Sequence, residues 1–527
     1  MSTVRAAAFE VLRRYGLTTI FGNPGSTEVS LLTGLPDDLR FVLALHEGSV
    51  VGMATGWAVG HAEPALAVLH TTAGLGNAVG ALATARVNRA PLVVLVGQQD
   101  RRHLALEPFL AGRLAGLAGD YPVWTDQPVR AQDVPGALAR AFHEAVTHRG
   151  PALVVVPMDD WDAPSAGETP AAPARVLRPA AVPDAGLAPL VELLAGARSP
   201  VIVAGAGASW GPLVELAERL ACPVFQESFG ALAGFPQDHP QYAGVLPADR
   251  GRLRAVLAPY DVVLAVGAPV FRQYPYAPGP LVEPGTAVAV VTDDPAEAHR
   301  SPAALAVLAP PGVVCERLAA LLPARPAAPA AVPPAPAPEV PGGEPLRPAY
   351  VLRELARRLP RDVVLLEETP SSRPDLHRLV PARNPLGFVS AAMGGLGFAV
   401  PAAVGLRMAL PGRPVVAVVG DGSALYGVHA LWSAAHYRVG ALFVVLANGR
   451  YAVMDRLADQ HGGKAPWPPF PEVDLAALAR SLGCPARRVD GPAELGAVLD
   501  EVIPSLAARE EPLLLDVTVA VDQDFRP

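Results

Sequence analysis

Val415-Val-Ala-Val-Val-Gly-Asp-Gly-Ser423, followed by Leu442-Phe-Val-Val-Leu-Ala-Asn448, decides the fold. Each apolar run reads as a buried strand that ends on a short polar side chain. Leu425, Val428, Leu431, Trp432 and Ala435 between them recur at helical spacing. The 27 residues from Asp421 to Asn448 suit one strand-helix-strand unit, so the two side chains should emerge next to each other. That position, outside the carboxyl ends of parallel strands, is where open α/β sheets bind ligands. A carboxylate and an amide oxygen are hard ligands for Mg²⁺ or Ca²⁺, which such sites share with phosphate groups. The amides of Gly422 and Ser423 at a helix start suit an anion. Gly-Asp-Gly-Ser alone reads better as a tight turn with an N-capping Asp or Ser. The flanking strands and the spacing favour a metal-bridged diphosphate.

The same alternation extends outward. Short apolar runs at Leu92 to Val96, Val201 to Val203 and Val262 to Val266 alternate with Ala/Leu-rich helical stretches, the pattern of parallel sheets covered on both faces. Two segments punctuate it: Trp161 to Gly186, and the Pro/Ala run from Pro323 to Pro345, which reads as an extended tether. The chain of 527 residues thus divides into three doubly wound α/β domains, residues 1–165, 187–322 and 346–527, with a linker at 323–345. Asn384 to Leu406 lacks charge over a length that could span a membrane, but Pro385, Pro401 and several glycines interrupt it, so a buried loop and helix is expected.

A formal charge of −8 gives no basic field for nucleic acid or anionic lipid, and neither is expected as a partner. Cys222, Cys315 and Cys484 are widely separated and form no CxxC or other ligand spacing, so neither a disulfide framework nor a thiolate metal site is suggested, which fits a reducing cytoplasm. Arg5, Glu10, Arg13 and Arg14 break up the apolar positions near the N-terminus, so it reads as an amphipathic helix and not a signal peptide.

In the first domain three polar groups follow three strands: Asn23 to Ser26 after Thr19 to Phe21, His46 and Glu47 after Phe41 to Leu45, and His70 after Ala65 to Leu69. Singly, each has an ordinary reading as turn chemistry, a helix-start carboxylate or a helix cap.

The Gly-Asp-Gly stretch with Asn448 resembles the motif of the thiamin diphosphate enzymes. Phe21-Gly-Asn-Pro-Gly-Ser26, Glu47, Leu69-His70, Ala73-Gly-x-Gly-Asn77, Gly97-Gln-Gln99, Gly267-Ala-Pro-Val-Phe-Arg272 and Gly394-Gly-Leu-Gly-Phe398 extend the resemblance over the chain, toward the benzoylformate decarboxylases within the 2-oxo acid decarboxylases. It implies pyrimidine-binding, central and diphosphate-binding domains. It implies that Glu47 activates the cofactor through its aminopyrimidine, and that Asp421, Asn448 and the carbonyl of Arg450 ligate Mg²⁺. Ser371, Gly422, Ser423, Tyr426 and Tyr451 would surround the diphosphate, Leu396 would hold the cofactor bent and Gly394 would bond its pyrimidine. Ser26 would bind the substrate carboxylate and His70 would shuttle protons. Phe109, Leu110, Met454 and Leu457 map to the substrate pocket, where ordinary core packing is the alternative. Active sites would lie between subunits of a homodimer or homotetramer.

Three positions depart from the family pattern. Tyr274 stands where a second catalytic His is usual, Pro370 replaces a Thr near the diphosphate and removes an amide donor, and Ala447 replaces the first Asn of a pair. Val201-Ile-Val-Ala-Gly205-Ala-Gly207 is a lone glycine turn, so FAD is not expected. The expected activity is decarboxylation of an aromatic or branched 2-oxo acid. The alternatives are an acetolactate synthase-type carboligase and a silent cofactor-binding subunit.

Overall fold

The computed structural model describes residues 2–166, 181–274, 276–326 and 345–521. Most of both punctuating segments, including the tether expected at 323–345, lies outside the described residues. Among the described residues are three six-stranded sheets, all parallel. The first contains β1 (Thr19–Gly22), β2 (Arg40–Leu43), β3 (Ala65–His70), β4 (Leu92–Gln98), β5 (Trp124–Asp126) and β6 (Pro151–Pro157), in the order β2-β1-β3-β4-β6-β5. The second contains β7 (Pro200–Ala204), β8 (Val224–Gln226), β9 (Tyr242–Val245), β10 (Val262–Val266), β11 (Ala287–Thr292) and β12 (Leu305–Leu308), in the order β12-β11-β10-β7-β8-β9. The third contains β13 (Val364–Glu368), β14 (Val389–Ser390), β15 (Val415–Gly420), β16 (Leu442–Ala447), β17 (Ala486–Val489) and β18 (Leu513–Thr518), in the order β14-β13-β15-β16-β18-β17.

Continuous apolar strands follow from burial on both faces. Along β15, Val415, Ala417 and Val419 join a core that continues into the first domain, while Val416 and Val418 join the core on the opposite face. The N-terminal amphipathic helix is present as Val4–Arg14, with Thr3 capping the amide of Ala6 at 3.2 Å and Val4, Phe9 and Leu12 buried.

The first and third domains meet through the helices Glu47–His61 and Ala399–Ala409, both apolar on nearly every face. A Cβ on Gly56 would lie 2.1 Å from the Ala402 carbonyl oxygen, and one on Gly405 would lie 1.9 Å from that of Met53. An alanine at either position would have to push the backbones apart. In the uncharged stretch Asn384 to Leu406 the helix from Ala399 is buried as expected, but the loop is not wholly so: Met393 and Leu396 are exposed. No helix among the described residues is long and apolar enough to cross a membrane.

Two local expectations are corrected. β2 stops at Leu43, and Leu45 turns out to solvent. The helix expected after Gly-Asp-Gly-Ser breaks into Asp421–Gly427 and Ala430–His436, and the His429 ring at the break stacks on His46 at 5.3 Å. In the middle sheet the glycine turn serves loop packing. A Cβ on Gly205 would lie 2.5 Å from that of Ala268, and the Gly207 amide donates to the Gly267 carbonyl at 2.9 Å. The three cysteines are buried free thiols, and burial pushes Cys222 and Cys315 up to about 12.

Candidate active site

β15 and β16 pair with Gly420 opposite Leu446, so Asp421 and Asn448 leave neighbouring strand ends as the spacing required. Asp421 Oδ2 accepts from the amides of Asn448 at 2.8 Å and Gly449 at 2.6 Å, and Oδ1 accepts from the Gly422 amide at 2.7 Å. The Gly422 amide, expected to face an anion, is therefore turned to the Asp421 carboxylate, which folds back over the first helical turn. Burial pushes the Asp421 carboxyl up from its ordinary value, and the three amides hold it down in part. These partners are neutral, so a divalent cation would supply the missing positive charge. Asn448 Oδ1 accepts from the Arg450 amide at 3.1 Å, which orients the side-chain amide beside the carboxylate. Carboxylate, amide and carbonyl oxygens form a hard donor set that fits Mg²⁺.

The surroundings fit a diphosphate. Ser423 is buried, and Tyr451 lies over Gly422, where a Cβ would meet its ring at 2.5 Å. Burial raises the Tyr451 hydroxyl, which is hydrogen-bonded to the exposed Tyr426. Ser371 follows β13 in a half-buried turn. Two buried glutamates at the end of β13 were not singled out from the sequence. Glu367 Oε1 accepts the amide and hydroxyl of Thr369 at 2.6 and 3.0 Å. Glu368 accepts the amides of Gly397 at 2.6 Å, Phe398 at 2.8 Å and Ala399 at 2.7 Å, and burial pushes it up to about 7. Glu368 thus anchors the turn that presents Gly394, at φ +75°, and the partly exposed Leu396.

In the first domain Glu47 opens the helix Glu47–His61 and is buried. Its oxygens accept separately from Asn23 Nδ2 and Asn77 Nδ2, each at 3.0 Å, so the carboxylate is fixed in orientation by charge-assisted bonds. His70 ends β3. Its Nδ1 lies 2.9 Å from Thr27 Oγ1 and 3.1 Å from Glu28 Oε2. Glu28 is fully buried and also accepts the Gly25 amide at 2.8 Å. The capping reading of His70 is corrected: it holds the N-cap position of the helix Thr71–Val87, but its side chain makes no capping bond. Thr71, the next residue, has φ +32°, a costly conformation for a β-branched residue. Gly25 is required for the close approach of the ring, since a Cβ would lie 2.4 Å from it. Ser26 is exposed on the same short turn, Ser26–Glu28. Glu28 was missed by sequence reasoning, although its place three residues after Gly25 is a helix-start signal.

Tyr274 is 57% exposed, and its amide donates to Ala248 O at 3.0 Å. Phe109 is 88% exposed; Leu110, at φ +66°, and Met454 are also exposed, while Leu457 is half-buried on the helix Ala452–Gln460. Within one chain the pocket candidates thus stand open to solvent.

Three parallel sheets, with an oxygen-ligand site on one and a braced carboxylate and histidine on another, define a cofactor-dependent α/β enzyme of three domains. Residues 2–115 match the thiamine pyrophosphate enzyme N-terminal TPP binding domain, residues 187–318 the central domain and residues 371–517 the C-terminal TPP binding domain. The chain belongs to the thiamine pyrophosphate enzyme family. It is 41% identical to a benzoylformate decarboxylase of Pseudomonas aeruginosa, over 98% of this chain and 99% of the relative. The thiamine diphosphate-dependent 4-hydroxybenzoylformate decarboxylase of Rhodococcus jostii RHA1 superposes with a TM-score of 0.94 at 36% identity, covering 99% of this chain and 100% of that one. The benzoylformate decarboxylase of Polynucleobacter necessarius gives a TM-score of 0.94 at 30% identity, with 100% of both chains covered.

Proposed function

We propose that this chain is a Mg²⁺- and thiamin diphosphate-dependent decarboxylase that converts an aromatic 2-oxo acid of the benzoylformate class to the aldehyde and carbon dioxide. The observation that carries this reading is the braced pair in the first domain, Glu47 between two amides and His70 against Glu28, in a chain that also keeps Asp421 and Asn448. A silent subunit would have no use for a buried Glu28 behind a histidine.

Bound, thiamin diphosphate supplies a carbon nucleophile and an electron sink for loss of the substrate carboxylate. Asp421, Asn448 and the Arg450 carbonyl would hold the metal, and Ser371, Gly422, Ser423, Tyr426 and Tyr451 would line the diphosphate site. Glu47, held between Asn23 and Asn77, would exchange a proton with the aminopyrimidine. Ser26 receives the substrate carboxylate. Nδ1 of His70 is engaged by Thr27 and Glu28, which leaves Nε2 to move a proton at the substrate. Tyr274 donates a hydrogen bond or proton through its hydroxyl. The exposure of Phe109, Met454 and Tyr426 supports a homodimer or homotetramer whose partner subunit covers them and lines the pocket for an aryl group. The three buried thiols suit the cytoplasm.

The test is carbon dioxide release from benzoylformate, phenylpyruvate, 2-oxoisovalerate and pyruvate, with thiamin diphosphate and Mg²⁺ present or withheld. Release from benzoylformate that needs both is expected. No release from benzoylformate, with a coupled product from pyruvate, would overturn the reading in favour of a carboligase.

A further inference from the structure

We infer that Asn88 and Arg272 are positioning residues that hold Ser390 and Ala392 and thereby set where Gly394 and Leu396 stand. The inference rests on the reading above that these two residues meet the cofactor. β14, which leads into the turn, has only two residues at the edge of the third sheet and pairs with β13 through Leu366 with Val389 and Glu367 with Ser390. So short a strand has little pairing of its own. The first and second domains of the same chain provide the rest.

Asn88 caps the end of the helix Thr71–Val87 in the first domain. Its Nδ2 donates to Ser390 O at 2.9 Å, and its Oδ1 accepts from the Ala392 amide at 2.9 Å. A carbonyl and the amide two residues on are the groups a neighbouring parallel strand would satisfy, so the side-chain amide acts as one more peptide at the sheet edge. Arg272 comes from the second domain. Its Nη1 donates to Ala392 O at 3.1 Å and Phe229 O at 2.9 Å, and the Ser390 amide donates to Ala231 O at 2.9 Å. Beyond this clamp come Met393 to Leu396, after which Glu368 takes the amides of residues 397 to 399. The turn is therefore held at both ends while its middle remains accessible. The helix that ends at Asn88 also carries Asn77 on Glu47, so the proton-moving carboxylate and the cofactor turn share one frame.

The experiment uses the full-length protein. Thiamin diphosphate is titrated at saturating Mg²⁺ by tryptophan fluorescence, and the melting temperature is read without cofactor, for wild type, Asn88→Ala, Arg272→Lys and Arg89→Gln. Arg89→Gln is the control, because Arg89, next to Asn88 in the chain, pairs instead with Asp293 at 2.8 Å, a contact between the first and second domains. Asn88→Ala is expected to weaken cofactor binding about tenfold, with a melting temperature within about 2 °C of wild type. Arg272→Lys should weaken it about threefold, since the one nitrogen that donates to both carbonyls is replaced by an ammonium on a shorter stem. Arg89→Gln should leave it unchanged. If Asn88→Ala does not fold, Asn88→Asp, which keeps the acceptor and loses the donor, carries the same comparison. Unchanged affinity in both loop variants overturns the inference alone, as does an equal loss in Arg89→Gln or a loss that merely tracks melting temperature. A wild type that binds no thiamin diphosphate overturns the proposed function and this inference with it.

Discussion

The first and third sheets carry their strands in the same order, so β3 and β15 are equivalent strands with different chemistry at their ends. β3 ends on His70, braced from behind by the buried Glu28. β15 runs into Asp421, braced by the amides of the neighbouring strand end. One topology thus provides two equivalent platforms, and on the proposed function the residue at the strand end decides whether a platform would handle protons or oxygen-ligated cations. In both, the functional group is fixed by partners from a separate loop, which is what keeps it oriented in a largely dehydrated site.

The comparison breaks most sharply at Asp421. Asp421→Ala should weaken Mg²⁺-dependent thiamin diphosphate binding by at least about 100-fold, since losing even an outer partner of a metal ligand costs 10- to 100-fold. Equilibrium titration of the cofactor with and without Mg²⁺ measures it, and retained metal dependence would remove Asp421 from the site. Beside His70 in the first domain, Glu47→Gln should lower kcat for carbon dioxide release by about 10²- to 10⁴-fold while cofactor binding persists. Loss of binding in parallel would make Glu47 a binding residue instead.

A smaller effect is expected from Glu28→Gln, which keeps the shape but removes the charge behind His70. kcat should fall about 10- to 100-fold with unchanged cofactor affinity, the scale on which outer partners act. Wild-type turnover in steady-state assays would show that His70 needs no carboxylate. The smallest effect is on stability and lies in the middle domain. Burial pushes Glu227 from its ordinary 4.5 up to about 7. The native state then binds a proton more tightly than the unfolded state, so stability falls as pH rises from about 4.5 to 7. Glu227→Gln should flatten thermal stability between pH 5 and 8 by about 1–3 kcal/mol, with Glu368 retaining a slope of the same sign. An unchanged slope would place the titration elsewhere.

The legible parts of the molecule are those governed by short-range pattern. Val262 to Val266 could be read as a strand because burial on both faces demands an unbroken apolar run. The Asp421 and Asn448 pairing could be read because one strand-helix-strand unit fixes the distance between two strand ends. The break at His429 could not, since Leu425 to Ala435 keep helical spacing and only the stacking partner on another domain reveals where the helix turns. Glu28, Glu367 and Glu368 escaped notice for a related reason. A carboxylate acquires its role from what surrounds it, and those neighbours come from segments as distant as β3 and the Ala399–Ala409 helix.

By itself the sequence determined the three parallel-sheet domains, the family and the polar residues that end the strands, because apolar periodicity and motif spacing are local quantities. Only the tertiary structure decided which carboxylates are buried, which nitrogen of His70 is engaged and how three domains hold one short turn. Those depend on desolvation and on hydrogen bonds between segments far apart in the chain, which no local pattern encodes.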